Sequence, residues 1–113
     1  MIQVSQTNSE AIGVQDNIEF KQQSIKDLIL PPLEKPGTLV VNPPYGERLG
    51  DVQRLKKTYN ELGTLFKTHF KGWDCYVLSG NPELSKEIRL KSERHMELMN
   101  GPITCRFLHY PIR

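Results

Sequence analysis

The sequence predicts an α/β fold: a mostly parallel sheet with helices on its faces and a C-terminal antiparallel hairpin at one edge. Three observations predict it. Residues 38–41 (TLVV) and 73–79 (WDCYVLS) are apolar, β-branched or aromatic runs of the kind found in strands covered on both faces. Between them, residues 51–70 repeat their apolar positions at steps of three and four, as one face of a helix does. After them, Asn100-Gly101 stands between two strand-like runs, the strongest short hairpin signal. Strand, helix, strand in succession favours a parallel pair joined by a crossover helix.

The elements follow in order. Residues 5–13 are polar and weakly helical and end at Gly13, and residues 17–22 then alternate as a strand does. Residues 28–37 carry Pro31, Pro32 and Pro36, which exclude a helix interior and a central strand, so this stretch is a surface connection. Asp51 caps the long helix, whose buried face is Val52, Leu55, Tyr59, Leu62, Leu65, Phe66 and Phe70. Its other face, with Arg54, Lys56, Lys57, Glu61 and Lys67, is solvated. Gly72 ends the helix. Asn81-Pro82 has the form of a cap followed by proline at the first helical position, opening a short helix to about Ile88. Residues 93–99 and 103–110 form the hairpin, with Pro102 suggesting a loop wider than two residues.

Size and composition set the outer bounds. A chain of 113 residues holds one core, and 37% hydrophobic and 25% charged residues with a net charge of +2 describe an ordinary globular protein. That charge permits a polyanionic partner without requiring one. No stretch of eighteen apolar residues predicts a membrane span, the first ten residues lack the pattern of a signal peptide, and a cytoplasmic location follows by default. Cys75 and Cys105 read as buried reduced thiols, and His69, His95 and His109 share no metal-ligand spacing.

Chemistry concentrates where the first buried strand ends, in VVNPPYGERLG (residues 40–50). Ligands of open α/β sheets bind beyond the carboxyl ends of the strands, and Asn42 to Tyr45 stand at such an end. Two prolines fix φ at both positions and remove both backbone donors. What remains is a rigid set of acceptors with an aromatic plate beside it. The Asn42 side-chain oxygen and the Pro43 carbonyl can each accept one N–H of an exocyclic amine while Tyr45 stacks on its ring. Held this way, the amine turns its lone pair toward an electrophile, and the two acceptors stabilise the positive charge growing on nitrogen. Asn-Pro and Pro-Pro also serve as plain turns, but N-P-P-aromatic arises by chance roughly once in a thousand chains of this length.

At these residues the chain resembles the class I S-adenosylmethionine-dependent methyltransferases that modify exocyclic amines. More narrowly, NPPYGERLG, LFKTHFKGW, SGNPEL and NGPITC are similar to the catalytic domain of bacterial 23S rRNA guanine-N2-methyltransferases of the RlmL type, over about residues 8–110. The resemblance implies a Rossmann-like sheet, S-adenosyl-L-methionine as cofactor and ribosomal RNA as partner. It implies that Asn42, Pro43, Pro44 and Tyr45 form the catalytic corner, with Asn42 also near the methyl donor. Gly46 then permits a turn beneath the base, and Arg48, after Glu47, contacts an RNA phosphate or forms a structural ion pair. Near the cofactor adenine, where the family usually has an acidic residue, this chain has Ser24, with Asp27 three residues on.

The family's sheet runs 3-2-1-4-5-7-6, and its cofactor loop follows the first strand. No Gly-x-Gly loop precedes Asn8 here, so the expected sheet lacks strands 1 and 2, leaving a gap of ~10 Å at ~4.8 Å per strand. Residues 18–22 then either pair with residues 39–41, detach, or leave the space to another chain or to the N-terminal half of such an enzyme. The expectation is a partial methyltransferase domain over 1–113, with a well-packed unit over 38–110 and a less determined segment over 1–37. Two alternatives stay open beside guanine methylation: N6-adenine methylation of DNA or RNA by the same corner, and an inactive fragment.

Overall fold

The structure, a computed structural model, describes residues 2–23, 36–44 and 51–113, the side chain of Asn100 excepted. The chain forms two units, Met1–Pro31 and Pro32–Arg113.

In the first unit, Ile2–Ala11 form helix α1, which begins three residues before the stretch the sequence marks. Ser9 is its buried residue and donates to the Gln6 carbonyl at 2.7 Å. Gly13 takes φ +75°, which brings the Val14 N–H onto the Ser9 carbonyl at 3.0 Å and closes the helix end. A 3-10 turn follows at Gln15–Asn17. The strand expected over residues 17–22 is not formed. Alternation marks which side chains would share a face, but a strand is held by ladder hydrogen bonds to a neighbour. Residues 18–22 carry no strand, and Ile18 stays exposed. Of the predicted connection over 28–37, residues 28–35 lie outside the described residues.

The second unit is built on strands β1 (Thr38–Val41), β2 (Asp74–Ser79), β3 (Arg94–Asn100) and β4 (Ile103–Pro111), helix α2 (Asp51–His69) and the single-turn helix α3 (Pro82–Ser85). The sheet order is β1-β2-β4-β3. It is a mixed sheet: β1 and β2 are parallel, and β2–β4 and β3–β4 are antiparallel. Taken as strands 4, 5, 6 and 7 of the expected sheet, they stand in the order 4-5-7-6, as the resemblance implies.

The three-and-four spacing of α2 buries Leu55, Tyr59, Leu62, Gly63 and Phe66, with Phe70 buried just past its end. This face meets the side of the sheet that carries Cys75, Val77, Leu108 and Tyr110, all buried, and the Phe66 and Tyr110 rings lie 6.3 Å apart. Arg54 turns away and pairs with Asp51 at 2.8 Å, while Lys56 reaches Glu83 at 3.4 Å. Gly72 ends the segment at φ +84°, its N–H donating to the Ile112 carbonyl. The Trp73 ring then stands edge-on to Phe70 at 5.0 Å and lies over Gly37, where a Cβ would approach it to 3.0 Å.

Asn81 caps α3 as its sequence suggests, its side chain accepting from the Glu83 N–H at 3.0 Å with Pro82 opening the helix. A 3-10 turn at Lys86–Ile88 continues it. The hairpin is tighter than Pro102 suggested. Asn100 pairs with Ile103, so Gly101 and Pro102 alone make the loop. Gly101 supplies a φ of +62° and Pro102 a fixed negative φ, the combination that a type II′ turn needs.

On the other side of the sheet Tyr76 stacks between Phe107 at 5.2 Å and His109 at 4.6 Å, and His109 Nε2 lies 2.7 Å from Asp74 Oδ1. Cys75 opposes Tyr110, five residues from Cys105 on β4. An odd separation puts the two thiols on opposite faces, and both are free and buried. No described helix is long and apolar enough to cross a membrane.

Candidate functional site

Parallel pairing of β1 with β2 brings their carboxyl ends to one rim of the sheet. Val41 opposes Val77, one residue before Asn42 and two before Ser79. The rim thus joins two short corners, Asn42-Pro43-Pro44 after β1 and Ser79-Gly80-Asn81 after β2. The second is held by its own bonds: the buried Ser79 hydroxyl donates to the Asn81 carbonyl at 3.2 Å, and the Asn81 side chain caps α3.

The first corner alternates outward and inward. Asn42 is exposed, Pro43 is buried and Pro44 is exposed. Seating the Pro43 ring in the interior anchors the backbone, and two proline rings leave little φ freedom. The Pro44 carbonyl accepts the Tyr59 hydroxyl at 2.7 Å, a short hydrogen bond reaching fifteen residues along the chain from α2. Tyr59 is 0% exposed, so this is a bond made from inside the core. The corner therefore presents one amide side chain to solvent above a backbone fixed by two rings and by one bond from the helix. Amide and carbonyl oxygens of this kind can accept N–H groups without an ionisable residue.

Of the residues singled out in the sequence, Asn42, Pro43 and Pro44 stand together at this rim. Ser24, Asp27, Tyr45, Gly46, Glu47 and Arg48 lie outside the described residues. Tyr59 was read only as a core position of the helix. The signal that distinguishes it was present: a tyrosine in an otherwise aliphatic and phenylalanine stripe carries a hydroxyl that needs a partner when buried.

Among the described residues of the second unit two pKa values are displaced, neither of them within residues 42–44. Burial, with the Asp74 carboxylate adding to it, pushes the Cys75 thiol up to about 11. Burial pushes the Tyr110 phenol up to about 12. Among the described residues no three of His, Cys, Asp or Glu gather as metal ligands would. S-adenosylmethionine would fit as a methyl donor across from the corner, since the exposed Asn42 side chain carries an oxygen that can accept from an amine.

Comparison with known proteins adds the following. The family model described as UPF0020, RMKL-like, methyltransferase domain, matches residues 1–109. A ribosomal RNA large subunit methyltransferase K/L from Syntrophotalea carbinolica is 40% identical over 113 residues, covering 98% of this chain and 16% of that protein. The chain thus spans about one sixth of the length of the curated relatives it matches. Among solved structures, one titled as a possible methylase from Clostridium difficile 630 superposes with a TM-score of 0.84 at 31% identity, covering 99% of this chain and 29% of that one. SMU.472, complexed with SAH, superposes with a TM-score of 0.85 at 26% identity, covering 100% of this chain and 29% of that one.

Proposed function

The chain belongs to the RMKL-like methyltransferase domain family, and from that membership we propose that it carries the amine-holding half of an S-adenosylmethionine-dependent enzyme methylating the N2 amine of guanine in 23S rRNA. The observation that carries this reading is the corner itself: exposed Asn42 at the carboxyl end of β1, over a backbone fixed by buried Pro43 and by the Tyr59–Pro44 bond. The likeness to K/L methyltransferases supports the RNA substrate, and the SAH complex of SMU.472 supports the cofactor. A ribosomal RNA substrate supports a cytoplasmic location.

When bound, S-adenosylmethionine supplies an electrophilic methyl group on a sulfonium whose leaving group is a neutral thioether. The Asn42 side-chain oxygen and the Pro43 carbonyl accept the two N–H groups of the guanine amine. This fixes the nitrogen and aims its lone pair at the methyl carbon. Positive charge would grow on nitrogen as it took the methyl group, and both acceptors would stabilise it. The methylated nitrogen, cationic at first, then loses one of these two protons to solvent water. In this reading Tyr45 stacks on the base, Gly46 lets the backbone turn beneath it, Arg48 contacts an RNA phosphate, and Ser24 lies near the cofactor adenine.

The test is methyl transfer by the full-length protein that carries this chain, with modified nucleosides of 23S rRNA identified by mass spectrometry. N2-methylguanosine is the expected product. Asn42→Ala is expected to lower the rate on the order of a hundredfold, as loss of a preorganised hydrogen-bond partner does. N6-methyladenosine as product would reassign the corner to adenine. Full turnover by Asn42→Ala would reduce it to a turn.

A further inference from the structure

We propose that Tyr59 is a positioning residue for methyl transfer, its buried hydroxyl setting the orientation of the peptide that follows the two acceptors. The proposal rests on the amine-holding role of the corner. Proline rings fix φ at positions 43 and 44, and Pro44 also confines ψ of the Pro43 before it, but neither ring sets ψ of Pro44, which decides where its carbonyl points. At Pro44 that freedom is removed by the Tyr59 hydroxyl, 2.7 Å from the carbonyl oxygen. The bond turns this third carbonyl toward α2 and so sets the plane of the peptide that closes the corner.

The hydroxyl is delivered from a fixed point. Tyr59 is 0% exposed, so its ring has no solvent-side freedom. One turn further along α2, Gly63 lies so close to the 3-10 turn after α3 that a Cβ there would sit 2.0 Å from the Ile88 carbonyl oxygen. Between them, Asn60 Nδ2 donates to the Glu87 carbonyl at 3.4 Å. The helix turn that carries Tyr59 is thereby pinned to the segment leaving the neighbouring corner. A displacement of about 1 Å at a reacting centre is enough to lower rates severalfold to a hundredfold.

The experiment is Tyr59→Phe, which keeps the ring and removes only the oxygen, in the full-length protein. Wild-type transfer is measured first. The expected result is a kcat about tenfold lower, KM for S-adenosylmethionine within twofold of wild type, and greater mobility of the Asn42 side-chain amide by NMR relaxation. Leu55→Ala is the control, removing core packing on the same helix face while keeping the Tyr59 hydroxyl, and is expected to lower Tm while leaving kcat within twofold. The proposal is overturned if Tyr59→Phe leaves kcat within twofold, or if Leu55→Ala loses kcat to the same extent. If the wild type transfers no methyl group, the functional reading fails on its own. The NMR arm then decides the clamp, and unchanged Asn42 mobility in Tyr59→Phe rejects it.

Discussion

At position 63 a methyl group has nowhere to go. The atom it would strike is a backbone oxygen, Ile88 O at 2.0 Å, which cannot swing aside as a side-chain tip can. Alanine is intrinsically better in a helix than glycine by about 1 kcal/mol, yet overpacking of this kind costs about 1–3 kcal/mol and separates the helix from the turn it rests on. Gly63→Ala is therefore expected to lower stability, read as a lower urea midpoint at unchanged m-value. Hydropathy periodicity does not reveal such a residue, because a glycine inside a helical pattern looks the same whether it faces solvent or a carbonyl. The corner was legible for the opposite reason: Asn-Pro-Pro restricts its own backbone, so its rigidity is written locally. Tyr59 lay between these cases, visible as buried but with its partner fifteen residues away.

Elements whose stabilising contacts are local were the ones the sequence revealed. The Asn81 cap and Pro82 sit side by side, and α3 begins there. With only four residues, Pro82–Ser85, this helix depends heavily on its cap. Asn81→Ala is expected to cost about 1 kcal/mol. A thermal melt is the first check, and hydrogen exchange should show earlier opening of residues 82–88 than of α2. Residues 17–22 failed as a strand because their alternation needed a partner that the pattern cannot name. The hairpin loop came out tighter than Pro102 implied, since a proline at the second loop position matches the turn when a glycine with positive φ precedes it.

For the whole molecule, the hydrophobic core from Leu55 to Ile112 includes two groups whose titration is displaced by burial. Cys75 and Tyr110 are paired across β2 and β4 and are both held protonated by burial, up to about 11 and about 12. Their ordinary values are 9.0 and 10.0. Above pH 9 the unfolded chain begins to lose these protons while the folded chain keeps them, so the unfolded state binds fewer protons and stability falls as pH rises. Full stability from these groups is present below pH 9 and is lost progressively up to about 12. Melting temperature is expected to be level through neutral pH and to decline from pH 9 upward, with Cys75→Ala flattening the first part of the decline relative to its own neutral value.

The single tryptophan of the chain stands where three segments converge: Gly37 at the entry to β1, Phe70 at the end of α2, and Asp74 at the start of β2. Its half-buried indole, edge-on to one ring and laid over a glycine, is a built-in fluorophore for that junction. Emission from Trp73 will shift to longer wavelength when the helix and the parallel pair come apart, giving an optical record of how the strand that carries the corner is assembled.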